Sequence, residues 1–250
     1  MVGLFITARL GSTRLSRKHL IEAAGQPFIK WLTNRYAHQF KEEIKNGVLK
    51  IFITTSVSPE NKTFEQVFSG DQVSVFYGSD ENIPLRHLEC ARANNIEYII
   101  SIDGDDILCS TEAAVKVIEK LQQGREIAQT KGLPLGMNVM GYRADFLEKC
   151  LTGKELSKLE TGWGKIFEKG NTETIEIAGY EQATDLRMTL DYEDDATFFK
   201  EVITHIGNKI IDISDAELVC EIIKNSWQNI NKGLNETYWA NFNQQKNEEQ

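Results

Sequence analysis

The chain has 250 residues, of which 41% are hydrophobic and 26% charged, a balance that excludes a fibrous or broadly disordered protein and is enough for one α/β domain with a sizeable core. A formal net charge of −9 argues against a nucleic-acid-binding surface. No apolar stretch approaches the roughly 20 residues of a membrane span, and Val2–Ile6 is too short and lacks the basic flank of a signal peptide. A cytoplasmic protein is therefore expected. Cys90, Cys109, Cys150 and Cys220 are scattered without a CxxC pair, which suits small apolar core residues rather than disulfides or zinc ligands.

In chain order, Gly3–Ala8 is a short apolar run that predicts a buried strand. A polar, glycine-containing loop follows through Lys18. Phe28, Trp31, Leu32 and Tyr36 then recur at helical spacing, predicting an amphipathic helix over 27–40. Strands are expected at Val48–Thr55, Val73–Tyr77 and Glu97–Ile102, with helices at 60–68, Pro84–Asn94 and Thr111–Gln122. Ser110 or Thr111 is the expected cap of that last helix. Strands alternating with helices imply βαβ units and a mainly parallel sheet. The second half is less regular. Met137–Arg143 and Leu186–Asp191 read as strands, and 144–150, 193–206 and 214–231 as helices. Residues 155–182 suggest a small protruding unit, and 241–250 a frayed polar tail. One domain over 1–240 is expected, with no repeats or linker.

Two features point to chemistry. Among the first 21 residues stand Arg9, Arg14, Arg17, Lys18 and His19, with no acid before Glu22, although the whole protein is acidic. The segment leaves the first strand at its carboxyl end, where open α/β sheets bind ligands. Gly11 permits a tight turn whose backbone N–H groups can cradle phosphate, and arginine suits bidentate phosphate contact. The alternative is a solvated loop. The second feature is Asp103-Gly104-Asp105-Asp106, three carboxylates in four residues after an apolar strand. A solvated acidic turn is one reading. A Mg²⁺ site is the other, because Mg²⁺ takes one or two carboxylates plus substrate phosphates.

The run Ala8, Arg9, Gly11, Ser12, Arg14 and Lys18 resembles the signature of the cytidylyltransferases that activate sugar acids, a group including Kdo and acylneuraminate enzymes, and most resembles the spore coat polysaccharide protein F type. Ser16 and Arg17 depart from it, standing where proline and, frequently, glycine occur. The resemblance extends over residues 2 to about 206. It implies a Rossmann-like three-layer α/β/α sandwich with a mixed, mainly parallel sheet, of the nucleotide-diphospho-sugar transferase (GT-A-like) type. It further implies CTP and a sugar acid as substrates, Mg²⁺ as cofactor, and a homodimer built through 155–182, in the service of cell-surface polysaccharide synthesis, with neither nucleic acid nor membrane as partner. Residue by residue, Asp105 and Asp191 correspond to metal-binding aspartates. Ala8, Arg9, Gly11, Ser12, Arg14, Lys18, Gly78, Ser79 and Asp103 fall at nucleotide-binding positions. Gly136, Asn138 and Arg187 fall at substrate-binding ones, and Arg9, Lys18 and Asp105 carry the catalytic expectation. Ile107 and Tyr192 are further departures.

Two rival readings remain at this level. A metal-dependent glycosyltransferase with a nucleotide-sugar donor would also use an acidic cluster at a strand end, but needs a smaller basic cradle. A non-catalytic scaffold is the other, resting on the departures from the family pattern.

Overall fold

Apolar β-formers alternate along β1 (Val2–Thr7): Leu4 and Ile6 face one core and Phe5 the other, so the strand is buried on both faces. This is a computed structural model, and it describes residues 1–12, 14–153, 158–161, 163–167 and 171–248. A short hairpin, β2 (Glu22–Ala23) and β3 (Gln26–Pro27), turns through Ala24 and Gly25, both with positive φ. Then come α1 (Phe28–Gln39), α2 (Lys41–Lys45), β4 (Leu49–Ser56), α3 (Thr63–Val67), β5 (Val73–Gly78), α4 (Ile83–Asn94), β6 (Tyr98–Asp103), α5 (Thr111–Gln122), β7 (Ile127–Lys131), β8 (Met140–Arg143) and α6 (Ala144–Leu151). β9 (Thr172–Glu176), α7 (Glu193–Ile206), α8 (Asp215–Lys224) and α9 (Asn235–Glu248) complete the order.

The main sheet has seven strands in the order β5-β4-β1-β6-β8-β7-β9. The first four are parallel neighbours, β8 runs antiparallel to both β6 and β7, and β9 is parallel to β7. The larger core joins one face of this sheet to residues of α1, α5, α7 and α8; the smaller joins the other face to α4, α6 and the turn Trp163–Phe167. This is the expected three-layer α/β/α sandwich with a mixed, mainly parallel sheet.

Several elements differ from the expectation. β2, β3, α2, β7 and β9 are additional. Leu186–Asp191 is an extended run with a single parallel bridge, Arg187 to Leu135, rather than a strand of the sheet. The helix expected over 214–231 stops at Lys224, and Ser226 adopts left-handed φ 58, which breaks it into short 3₁₀ turns. The stretch read as a polar tail is helical through Glu248. Of the stretch 155–182, residues 155–157, 162 and 168–170 lie outside the described residues. Its described part lies against the body: Ile83 N–H donates to Leu159 O, Ile166 and Phe167 enter the smaller core, and β9 extends the sheet. Cys90 and Cys109 are buried, but Cys150 is half-buried and Cys220 exposed. No helix among the described residues is long and apolar enough to cross a membrane.

Candidate active site

Strand register places the site. Thr7 lies opposite Thr54 on one side and Asp103 on the other, so the carboxyl ends of β1, β4 and β6 form one row. The chain can turn away so tightly after β6 because residue 104 is glycine. Its N–H donates to Thr7 O at 2.8 Å, and a Cβ there would meet that oxygen at 2.6 Å and the Ala8 Cβ at 2.9 Å. The acidic turn thus lies directly against the basic loop.

The extended run 186–191 is pulled in by backbone bonds. Leu190 N–H donates to Asp105 O at 2.9 Å and Met188 N–H to Leu135 O at 2.8 Å. Gly136, with φ +87, is required by the same approach: a Cβ would meet Met188 O at 2.4 Å. At the end of this run Asp191 is held from behind. The Asp195 carboxylate, in the first turn of α7, accepts from the N–H groups of both Asp191 and Tyr192, at 2.9 and 3.0 Å.

The two distant aspartates meet around one cation. Lys18 Nζ donates to Asp105 Oδ2 at 2.5 Å and to Asp191 Oδ1 at 3.2 Å, while Arg14 donates to Asp191 Oδ1 at 2.7 Å. His19 Nε2 lies 2.9 Å from Asp105 Oδ1. Burial opposes the Lys18 charge, but Asp105 and Asp191 more than offset it and raise its pKa above the ordinary 10.5. Burial likewise opposes the Asp105 charge, yet Lys18 and His19 hold its pKa well below the ordinary value. Asp103 keeps solvent contact at the cleft floor, but desolvation by the surrounding protein and the neighbouring Asp105 push it up to about 7.

All of these groups except the buried Asp191 border a cleft of about 330 Å³, lined by Ala8, Arg9, Gly11, Ser12, Arg14 and Lys18 on the loop side and by Asp103 and Asp105 on the floor. Arg9 pairs with Glu160 across its mouth. An adjoining hollow of about 170 Å³ shares Thr7, Ile83, Asp103 and Glu160 with the cleft and adds Ser101, Asn138, Met140 and Trp163.

Four expected site residues lie elsewhere or act differently. Arg187 has no solvent exposure; it pairs with Asp195 at 2.9 Å and Asp191 at 3.1 Å, so it anchors an acid rather than reaching a ligand. Gly136 serves backbone packing. Gly78 and Ser79 are outside the cleft lining: Ser79 N–H donates to Glu89, and Ser79 O and Asp80 O both accept from Arg86 at 2.7 Å. This clasp delivers Arg86 to the cleft wall. Asn138 does face the hollow, though its amide donates to Leu133 O within its own turn. Sequence reasoning missed His19 as a partner of Asp105. It also missed Asn61, whose buried amide accepts from Leu10 N–H and donates to Ser56, fixing where the loop leaves the sheet. Nothing in the sequence distinguishes that asparagine from a surface one.

Whether Mg²⁺ suits these residues follows from the donor set. Among the described residues no three His, Cys, Asp or Glu side chains form a ready-made metal cage. Two carboxylates, Asp105 and Asp191, already share one cation, Lys18, and Arg14 adds a second on Asp191. Carboxylate oxygens that already converge on a cation fit an ion that takes its remaining ligands from substrate phosphates and water.

The comparisons with known proteins bear on the same span. The solved structure of a cytidylyltransferase from Leptospira borgpetersenii superposes with a TM-score of 0.77 at 22% identity, over 91% of this chain and 95% of that one. A CMP:2-keto-3-deoxy-manno-octonic acid synthetase complexed with CTP gives 0.62 at 16% identity, over 82% and 98%. An uncharacterized protein of Methanocaldococcus jannaschii is 25% identical over 235 residues, covering 92% of this chain and 93% of its own. The likenesses to solved structures establish the nucleotidyltransferase-like fold. The cytidylyltransferase family model matches residues 4–211, a span that holds the basic loop, the acidic turn and Asp191 alike, and by that match the chain belongs to the cytidylyltransferase family.

Proposed function

We propose that this cytidylyltransferase transfers CMP from CTP to a hydroxyl of a sugar acid, releasing pyrophosphate, with Mg²⁺ as cofactor. One observation carries the reading: the basic loop at 9–18 and Asp105 line a single cleft at the carboxyl ends of β1 and β6, and the buried Asp191 stands behind its wall, bonded to Arg14 and Lys18 of that loop. Arg9, Arg14 and Lys18 bind the triphosphate, exchanging their present carboxylate partners for phosphate oxygens. Gly11 and Ser12 let the backbone approach it closely. Asp105 and Asp191 would hold Mg²⁺, which supplies charge neutralisation at the phosphates and polarises the phosphorus under attack. The protein's contribution is positioning and fixed charge. The acceptor takes the adjoining hollow beside Ser101 and Asn138, its acid group turned toward the basic wall of the cleft. The sugar-acid choice rests on the resemblance at 8–18 and at Gly136 and Asn138. Synthesis of cell-surface polysaccharide is the setting this product class suggests.

The test has two parts. Melting temperature with CTP, UTP, ATP or GTP, each with Mg²⁺, should rise most with CTP, since only a ligand of the native state stabilises it. Pyrophosphate release should then require both CTP and a sugar acid. Equal stabilisation by all four nucleotides removes the case for CTP. Release with neutral sugars alone removes the acceptor.

A further inference from the structure

We infer that the segment after α8 is a working part of this site: Asn231 and Tyr238 position Arg187, and through it Asp191, while Gln245 completes the wall of the cleft. The inference rests on the nucleotidyl-transfer reading for what the site does, but its geometry stands apart from it.

Arg187 is the pivot of this arrangement. Its guanidinium is sealed from solvent and bonded to Asp195 and Asp191, so the direction in which Asp191 points depends on where that plane lies. Nη1 is buried with no hydrogen-bond partner. An aromatic face takes that place: the Tyr238 ring centroid is 4.5 Å from Arg187 Cζ, with the Tyr192 ring at 5.6 Å. A desolvated cation over an aromatic ring is held electrostatically. Asn231, 1% exposed, donates from one amide nitrogen to Asp195 Oδ1 at 2.9 Å and to Arg187 O at 3.2 Å, tying the arginine's backbone to its carboxylate partner. Two further bonds fasten the segment on either side: Asn235 Nδ2 to Asp185 O at 3.1 Å, and Asn241 Nδ2 to Tyr192 OH at 2.9 Å. One turn beyond Asn241, Gln245 lines the same cleft as Arg14 and Lys18.

The relay therefore runs from Tyr238 and Asn231 to Arg187, from Arg187 to Asp191, and from Asp191 to the two loop cations. The family match ends at residue 211, so Asn231, Tyr238 and Gln245 all come from beyond it. Tyr238 and Asn231 are positioning residues. Gln245, an exposed amide on the wall, is placed to hydrogen-bond the nucleotide.

The experiment compares Tyr238→Phe, which keeps the aromatic face, with Tyr238→Leu, which keeps apolar bulk and loses it. Amide hydrogen exchange at Asp191 and Tyr192 and pyrophosphate release from CTP are both measured. Tyr238→Leu should lower kcat about tenfold through misplacement of Asp191, and should speed exchange at those two amides. Tyr238→Phe should restore both. Gln245→Ala threatens no core packing and should raise the KM for CTP about fivefold, the worth of one hydrogen bond, with kcat little changed. Identical exchange in the Phe and Leu variants overturns the relay, and an unchanged KM in Gln245→Ala overturns the cleft-wall assignment. If the wild-type protein releases no pyrophosphate, the nucleotidyl-transfer reading fails; exchange at Asp191 and Tyr192 needs no substrate and still decides the relay. Should Tyr238→Leu not fold, the exchange comparison is made between Asn231→Ala and the wild type, where unchanged exchange again overturns it.

Discussion

Arg17 shows how a single residue records the geometry its loop requires. Its φ is 51, in the left-handed region, at the position where the signature its loop resembles frequently has glycine. A side chain there costs about 1–2 kcal/mol of backbone strain. Arg17→Gly should therefore stabilise the protein by about 1 kcal/mol, less the entropy that glycine returns to the unfolded chain, as read from urea unfolding. Asp105 is at the opposite pole, a residue whose value is chemical. Its replacement by alanine removes the carboxylate shared by Lys18 and His19 and should cut pyrophosphate release at least ~10²-fold. Near-normal turnover would reject its assignment.

At the scale of elements, helix α5 begins with a cap that does two jobs. Ser110 Oγ accepts from Ala113 N–H at 2.8 Å and donates to the Asp215 carboxylate at the start of α8, so one hydroxyl joins two helix N-termini. Ser110→Ala should cost about 2 kcal/mol, more than an ordinary cap, because Asp215 also loses its donor. Thermal or urea unfolding measures this directly. That cap was legible from Ser-Thr-Glu before an apolar helical pattern, and so were β1, β4, β5, β6 and the helices packed between them, whose apolar periodicity is dictated by burial. β7 and β9 were not, because Gln129 and Thr130 in the one, and the alternating Thr and Glu of the other, lack a continuous apolar run. The basic loop and the acidic turn at 103–106 could be read because their residue types follow from charge chemistry, whereas Asp191 was reached only through the family resemblance. The roles of Arg187 and Gly136 could not. An arginine bonded to two carboxylates and a glycine touching a remote carbonyl look, in one dimension, like ligand contacts. Only the approach of 186–191 to the acidic turn separates the two.

For the whole molecule, two buried groups set opposite responses to pH. Burial, aided by the nearby Glu112, pushes the Asp215 carboxyl up to about 6 from 3.8, against the pull of Ser110 and Arg35. Its folded pKa is raised, so its favourable contribution is full below pH 3.8 and is lost as pH rises through 6. The stability of Asp215→Asn relative to the parent should accordingly increase by about 2 kcal/mol from pH 4 to pH 7. His87 works the other way. Burial and, to a smaller degree, Arg86 hold its imidazole at about 3 instead of 6.5, while it bonds Thr7 and Tyr142 as the neutral ring. Its contribution is intact above pH 6.5 and drains away toward pH 3, because the unfolded chain takes up the proton first. Urea unfolding across pH 3–8 should show that slope, and a His87→Gln protein should lack it.

The separation of charges along the chain has one more outcome, for the protein as it is made. Arg14 and its carboxylate partner are 177 positions apart. A ribosome delivers the basic turn at the outset and Asp191 only after three-quarters of the polypeptide. Throughout that interval the basic turn lacks the acid that pairs directly with Arg14, and Asp105, the partner of Lys18, is the first of the two acids to be made. Synthesis of residues 186–195 supplies both Asp191 and the Asp195 that holds it, so the site is completed late and in one step.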